Sequence, residues 1–199
     1  MIHLLQEKLE EIYRLEKCPE ANKYVLSPKE FKRLAKSSDN PQVIYVDEGS
    51  DATLGIYLGK RIFKKIQNKA KIFSFQDFCV MAEEISHFIY LIWSKSNGKK
   101  ITLLDLEIQA EVDKFLLASN FFRSQETVFQ KMFETFMFRK NLLKDEKNRY
   151  IEASRLGKKL ATNWKNKKIS LSEKIHWLRF FYRQNPSSRI AMIERGLYL

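Results

Sequence analysis

The sequence predicts a mainly α-helical (α+β) fold with one small β-hairpin. Three observations carry that prediction. Apolar residues recur near a 3.6-residue period along most of the 199 residues. Helix-start signatures, a Ser or Thr followed three residues later by Asp or Glu, stand at Ser27, Ser74 and Thr102. The β-branched and aromatic residues that favour strands are concentrated in two short runs, Gln42 to Val46 and Thr53 to Leu58, on either side of Glu48-Gly49-Ser50-Asp51.

Each element follows from local chemistry. Met1 to Glu16 places Leu5, Leu9, Ile12 and Tyr13 on one face and reads as a helix ended by Cys18-Pro19. Ser27 caps a second helix, with Pro28 at its first position and Glu30 closing a capping box, running to about Lys36. Ser37 to Pro41 is a loop before the hairpin. Gly59 ends the second strand and Lys60 to Asn68 forms a short basic helix. Ser74 opens the central helix, which ends in the polar stretch Ser94 to Lys100, and Thr102 opens the next. Ser124 caps a helix from Gln125 to Arg139, and Asn141 to Asn148 is a charged link. Tyr150, Ala153, Leu156, Leu160 and Trp164 line one face of a long helix. A further helix starts at Ser170 or Ser172 and runs to about Arg183; Pro186 interrupts, and a short helix covers Arg189 to Arg195. One boundary is visible, near Arg139. It divides residues 1–138, the hairpin and helical core, from residues 139–199, a basic helical subdomain packed on it.

A chain of this length buries a core without disulfides or structural metals. Cys18 and Cys79 are too far apart in sequence for a zinc-ligand spacing and do not form a disulfide framework. The N-terminus has no uninterrupted apolar run, so no secretory signal is expected. The longest apolar stretch, Phe78 to Trp93, is short and broken by charges, so no membrane contact is expected. The expected location is the reducing cytoplasm. The net charge of +12 is uneven: residues 139–199 hold 16 Lys and Arg against 5 Asp and Glu, and residues 1–138 hold 20 against 19. Such asymmetry fits an acidic partner, nucleic acid or protein. Lysines scattered over solvated faces also account for it, and the interleaving of the charges with apolar residues favours that reading. The residues expected to carry phosphate contacts are Arg155, Lys158, Lys159, Lys165, Lys167 and Lys168, most of them on the polar side of the long helix.

The central pair of helices carries the chemistry. FQDFCVMAEEISHFIYLIW is apolar nearly all round, the pattern of a buried helix, yet holds Glu83, Glu84 and His87. The next helix, ITLLDLEIQAEVDKFLLASNFF, holds Glu107, Glu111 and Asp113. Buried ionisable groups are costly unless paired. Glu84 and His87 are therefore expected to face Glu107, Glu111 or Asp113, or to be satisfied by Arg or Lys from the hairpin or the C-terminal helices. Glu84-x-x-His87 and Glu173-x-x-His176 also form two E-x-x-H pairs, the spacing of di-metal carboxylate bundles, although the sequence leaves little room for the bundle crossover.

EEISHF followed by EIQAEVDKFLLA resembles the active-site pair of zincin metallopeptidases of the ImmA/IrrE type, over roughly residues 42–120. The flanking pattern resembles that of uncharacterised bacterial proteins. The resemblance implies a general base at Glu84, a metal-binding His at His87 and a supporting acid at Asp113. It places Glu83 where the first metal His belongs and Gln109 where the metal Glu belongs. With two of three ligands replaced, Glu83, His87, Glu107 and Glu111 become the metal candidates, an oxygen-rich set suited to Mn or Fe more than Zn. The expectation is a non-catalytic binding or regulatory protein on a degenerate zincin-like core, without a cofactor. A metal-dependent hydrolase using Mn, Fe or Zn and a non-specific nucleic-acid-binding protein are the alternatives.

Overall fold

A computed structural model describes the chain except residues 36–38, 48–51, 123, 136–141, 168 and 197–199. It is mainly helical with one two-stranded antiparallel sheet. The helices are α1 (Ile2–Tyr13), α2 (Pro28–Leu34), α3 (Lys60–Gln67), α4 (Phe75–Ser96), α5 (Leu103–Phe121), α6 (Gln125–Phe129), α7 (Lys144–Asn166), α8 (Leu171–Tyr182) and α9 (Pro186–Arg195). The strands are β1 (Gln42–Asp47) and β2 (Ala52–Tyr57), with Gln42 opposite Tyr57 and Asp47 opposite Ala52. No helix among the described residues is long and apolar enough to cross a membrane.

α4 lies at the centre and is buried along nearly its whole length. α5 packs along it, α1 and the hairpin cover further sides, and α7 lies against α5 and reaches α4 through Tyr150. The close approach of α7 to α5 depends on Gly157, where a β-carbon would stand 3.0 Å from Glu111 Cβ. In β2, Gly55 admits Leu26, whose side chain a β-carbon would meet at 2.6 Å. Leu26 N–H also donates to the Ile56 carbonyl at 2.8 Å, which covers part of the outer edge of the hairpin.

The caps act as their local chemistry requires. Ser27, Ser74 and Thr102 each accept a hydrogen bond from the N3 backbone N–H, and Glu30, Asp77 and Asp105 each accept one from the cap residue's own backbone N–H. Ser170, not Ser172, caps α8 in the same way with Glu173. That bond places Glu173 at a helix start, and His176 is exposed, so the second E-x-x-H pair assembles nothing.

Four boundaries differ from the sequence expectation. α1 stops at Tyr13, where Arg14 turns left-handed at φ 49°. Arg179 Nε donates to the Ile12 carbonyl at 2.7 Å and Arg183 Nη2 to the Tyr13 carbonyl at 2.9 Å, so two arginines of α8 satisfy the end of α1. After Phe129 the α6 helix widens into a π-helical turn over Gln130–Glu134, closed by Thr135 N–H on the Gln130 carbonyl. The rest of that expected helix, and the boundary near Arg139, lie outside the described residues. The expected charged link is helical from Lys144, with Asp145 and Glu146 in the first turn complementing the helix dipole. Pro186 does not interrupt the last helix but opens it, behind an Asn185 cap that accepts from Ser188 N–H at 2.9 Å. A 3₁₀ turn at Ala21–Tyr24 has no counterpart in the expectation.

Candidate functional site

The ionisable residues of α4 and α5 divide into three groups along the helix pair. The first is closed. Lys114 Nζ lies 2.9 Å from Glu83 Oε2 and 2.7 Å from Glu111 Oε1, and the lysine is only 3 % exposed. Tyr150 OH adds a bond to Glu83 Oε1 at 3.3 Å. Burial alone would lower the Lys114 pKa, but the charges of Glu111 and Glu83 outweigh it and hold the ammonium well above the ordinary lysine range. Burial raises the Glu111 pKa, which Lys114 only partly offsets. One ammonium from α5 itself thus serves both glutamates, and α7 adds the Tyr150 hydroxyl.

The second group joins both ends of the chain to the central pair. Asp113 accepts from Ser86 Oγ at 2.6 Å, from Gln109 Nε2 at 2.9 Å and from Tyr13 OH in a short bond. Arg189, fully buried, reaches in from α9 and donates to Gln109 Oε1 at 2.5 Å and to Tyr90 OH at 2.9 Å. Its Nη1 also lies 3.5 Å from Asp105 Oδ1. Burial raises the Asp113 pKa to about 6 despite these hydrogen bonds. Gln109 therefore has its amide oxygen bonded to Arg189 and its NH₂ shared between Asp113 and Tyr13.

The third group is open. His87 Nδ1 lies 3.5 Å from Glu84 Oε2 and Nε2 lies 3.6 Å from Glu107 Oε2. Burial would lower the His87 pKa, but Glu107 and Glu84 raise it to about 10, so the ring is an imidazolium at neutral pH. These three residues line a cleft of about 420 Å³ whose other walls come from the hairpin, with its preceding residues Asn40 and Pro41, and from Glu146, Arg149 and Tyr150 of α7. The expected meeting of His87 with an α5 carboxylate occurs at Glu107; Glu111 and Asp113 belong to the two closed groups.

These contacts bear directly on a metal centre. Glu83 and Glu111 share one buried ammonium, Gln109 is locked by Arg189, and the two ring nitrogens of His87 face different carboxylates. Among the described residues no group of three or more His, Cys, Asp or Glu is arranged to hold a metal ion. The four metal candidates are therefore not brought together. Glu84 is 1 % exposed beside an imidazolium that it helps hold protonated, a poor setting for a general base.

The basic residues of α7 are largely engaged within the protein. Arg155 bridges Glu152 at 2.8 Å and also pairs with Glu194, which Lys159 shares. Lys165 pairs with Glu126 at 2.5 Å, and Lys167 Nζ bonds the Gly196 carbonyl at 3.2 Å. Lys158 Nζ stands 5.9 Å from the Phe129 ring centre. Lys168 lies outside the described residues. Trp164, Trp177 and Phe181, interleaved with these charges in sequence, are buried core residues and offer no stacking platform.

Sequence reasoning missed Lys114, Arg189, Arg149 and Tyr13. Lys114 alone left a local signal, its i,i+3 spacing from Glu111. The chain matches no family model, no curated protein and no solved structure.

Proposed function

We propose that this protein is a non-catalytic binding protein on a degenerate zincin-like core, acting through the cleft beside His87. One observation carries the reading. The two positions where the resemblance requires metal ligands, Glu83 and Gln109, are engaged by Lys114 and Arg189. A zinc site needs neutral imidazole or free carboxylate ligands around one point. Here the donors are paired with cations or held apart. On this reading the polar groups of the core serve packing, which leaves the cleft as the functional surface. The basic face of α7 supports nucleic-acid binding less well, because four of its cations have partners within the chain.

Elemental analysis of the purified protein together with a peptide-hydrolysis assay tests the reading. The expected result is no stoichiometric zinc, manganese or iron after dialysis, and no hydrolysis. One equivalent of metal retained after dialysis, with hydrolysis abolished by Glu84→Gln, overturns it.

A further inference from the structure

We infer that the cleft beside His87 binds a small zwitterion, an α-amino acid with an apolar side chain; this rests on the binding-protein reading above and names its ligand.

Two donors in the cleft lack acceptors. His87 is 8 % exposed, and its Nε2 is buried without a hydrogen bond, the Glu107 carboxylate standing at 3.6 Å. Arg149, on α7, has a buried Nε with no acceptor, and among the described residues its guanidinium makes no hydrogen bond or ion pair. The other buried cations beside the central pair are engaged: Lys114 with two glutamates, Arg189 with three residues of α4 and α5. Buried donors are rarely left unmatched, and a partly buried arginine without a counter-ion points to an anion supplied from outside. The planar fork of a guanidinium matches a carboxylate best.

The surroundings of that arginine restrict the anion. Glu107 and Glu146 line the same cleft as His87 and Arg149, so carboxylates stand among the cations. A ligand carrying only negative charge meets repulsion from both carboxylates, and a phosphate dianion meets more. A ligand that carries its own ammonium beside the carboxylate satisfies both signs at once. The remaining wall, with Leu91, Leu103 and Leu106, is aliphatic and receives an apolar side chain. The volume of about 420 Å³ suits a small molecule with some bound water.

Titration calorimetry on the whole chain, with L-leucine, L-methionine and L-phenylalanine as probes, tests the inference. At least one of the three is expected to bind at one equivalent. Its deaminated acid, its decarboxylated amine and inorganic phosphate are each expected to bind about tenfold more weakly or worse. Arg149→Gln is expected to weaken the amino acid by a similar factor while leaving the melting temperature unchanged. No heat from any of the three amino acids overturns the inference, as does equal binding by acid, amine or phosphate. Undiminished binding by a folded Arg149→Gln protein overturns it too. None of these outcomes touches metal content or hydrolysis, so the ligand class and the binding-protein reading fail separately.

Discussion

Glu83 and Glu84 are neighbours in sequence and lie in two unlike environments. Glu83 turns into a closed group, in which one buried ammonium is held by two carboxylates and a tyrosine. Glu84 turns toward an open group, in which an imidazolium stands between carboxylates at distances longer than hydrogen bonds and faces a cleft. A helix advances 100° per residue, so adjacent side chains meet different neighbours. The difference shows that a pair of buried charges on one helix is not one feature. The closed end has the form of a structural element, with its polar atoms matched inside the chain. The open end keeps a buried unmatched donor, His87 Nε2, beside a cleft.

The sharpest way to break this comparison is at Lys114. Lys114→Met takes from the buried Glu83 and Glu111 the ammonium they share and is expected to cost about 3–5 kcal/mol in denaturant unfolding. Replacing all three members, Glu83→Met with Glu111→Leu and Lys114→Met, is expected to recover most of that loss, because desolvation of the pair disappears with the pair. A small effect for Lys114→Met alone would show that the closed group is wetter than its burial implies. Arg189→Leu comes next, at about 2–4 kcal/mol, since Gln109 Oε1 and Tyr90 OH lose a charged donor.

The open end should respond less. Glu84→Ala and His87→Ala are each expected to destabilise by about 1–3 kcal/mol, with nearby solvent relieving part of the loss. The same end predicts a pH dependence. The His87 pKa rises from 6.5 to about 10 on folding, so its contribution is whole below about pH 6.5 and drains away as pH climbs toward 10. Asp113 works in a different window. Its pKa rises from 3.8 to about 6, so the folded state binds the extra proton there, and stability falls as pH rises through that range. The difference in stability between wild type and His87→Gln should therefore shrink between pH 6.5 and 10, while the slope from pH 4 to 6 stays. A flat difference curve would mean that His87 is not held as an imidazolium. At the weak extreme, Lys165→Ala removes an exposed ion pair with Glu126 and should shift stability by less than about 1 kcal/mol.

The sequence carried the elements whose causes are local. Ser27, Ser74 and Thr102 cap helices because the residues that complete each box lie three positions away. The β-branched and aromatic residues of Gln42 to Val46 marked a strand of the hairpin from local chemistry too. The burial of Glu84 and His87 was legible because the helix around them is apolar on every side. Their partners were only half legible. Glu107 was among three carboxylates with equal claims until the packing of α5 on α4 chose between them. Arg189 donates to a glutamine 80 residues earlier, and nothing in its own neighbourhood marks that role. Lys114 is of a residue type common on surfaces, and its burial between Glu83 and Glu111 follows from the packing of α4 on α5. The end of α1 was misjudged for a related reason, since its terminus is satisfied by arginines nearly 170 residues away.

The reach of Arg189 back to the central pair has a consequence for synthesis. A ribosome delivers Tyr13, Ser86, Gln109 and Asp113 well before it delivers α9. At roughly 5–20 residues per second, the 80 residues between Gln109 and Arg189 take on the order of 4–16 seconds to emerge. Through that interval the amide of Gln109 and the hydroxyl of Tyr90 lack the donor that the finished fold gives them. The central helices of a nascent chain are then collapsed at best, with apolar faces that α8 and α9 have yet to cover. A chain stalled before α9 thus presents its own midsection to chaperones and proteases, and emergence of α9, rather than of the central pair, is the event after which the interior closes.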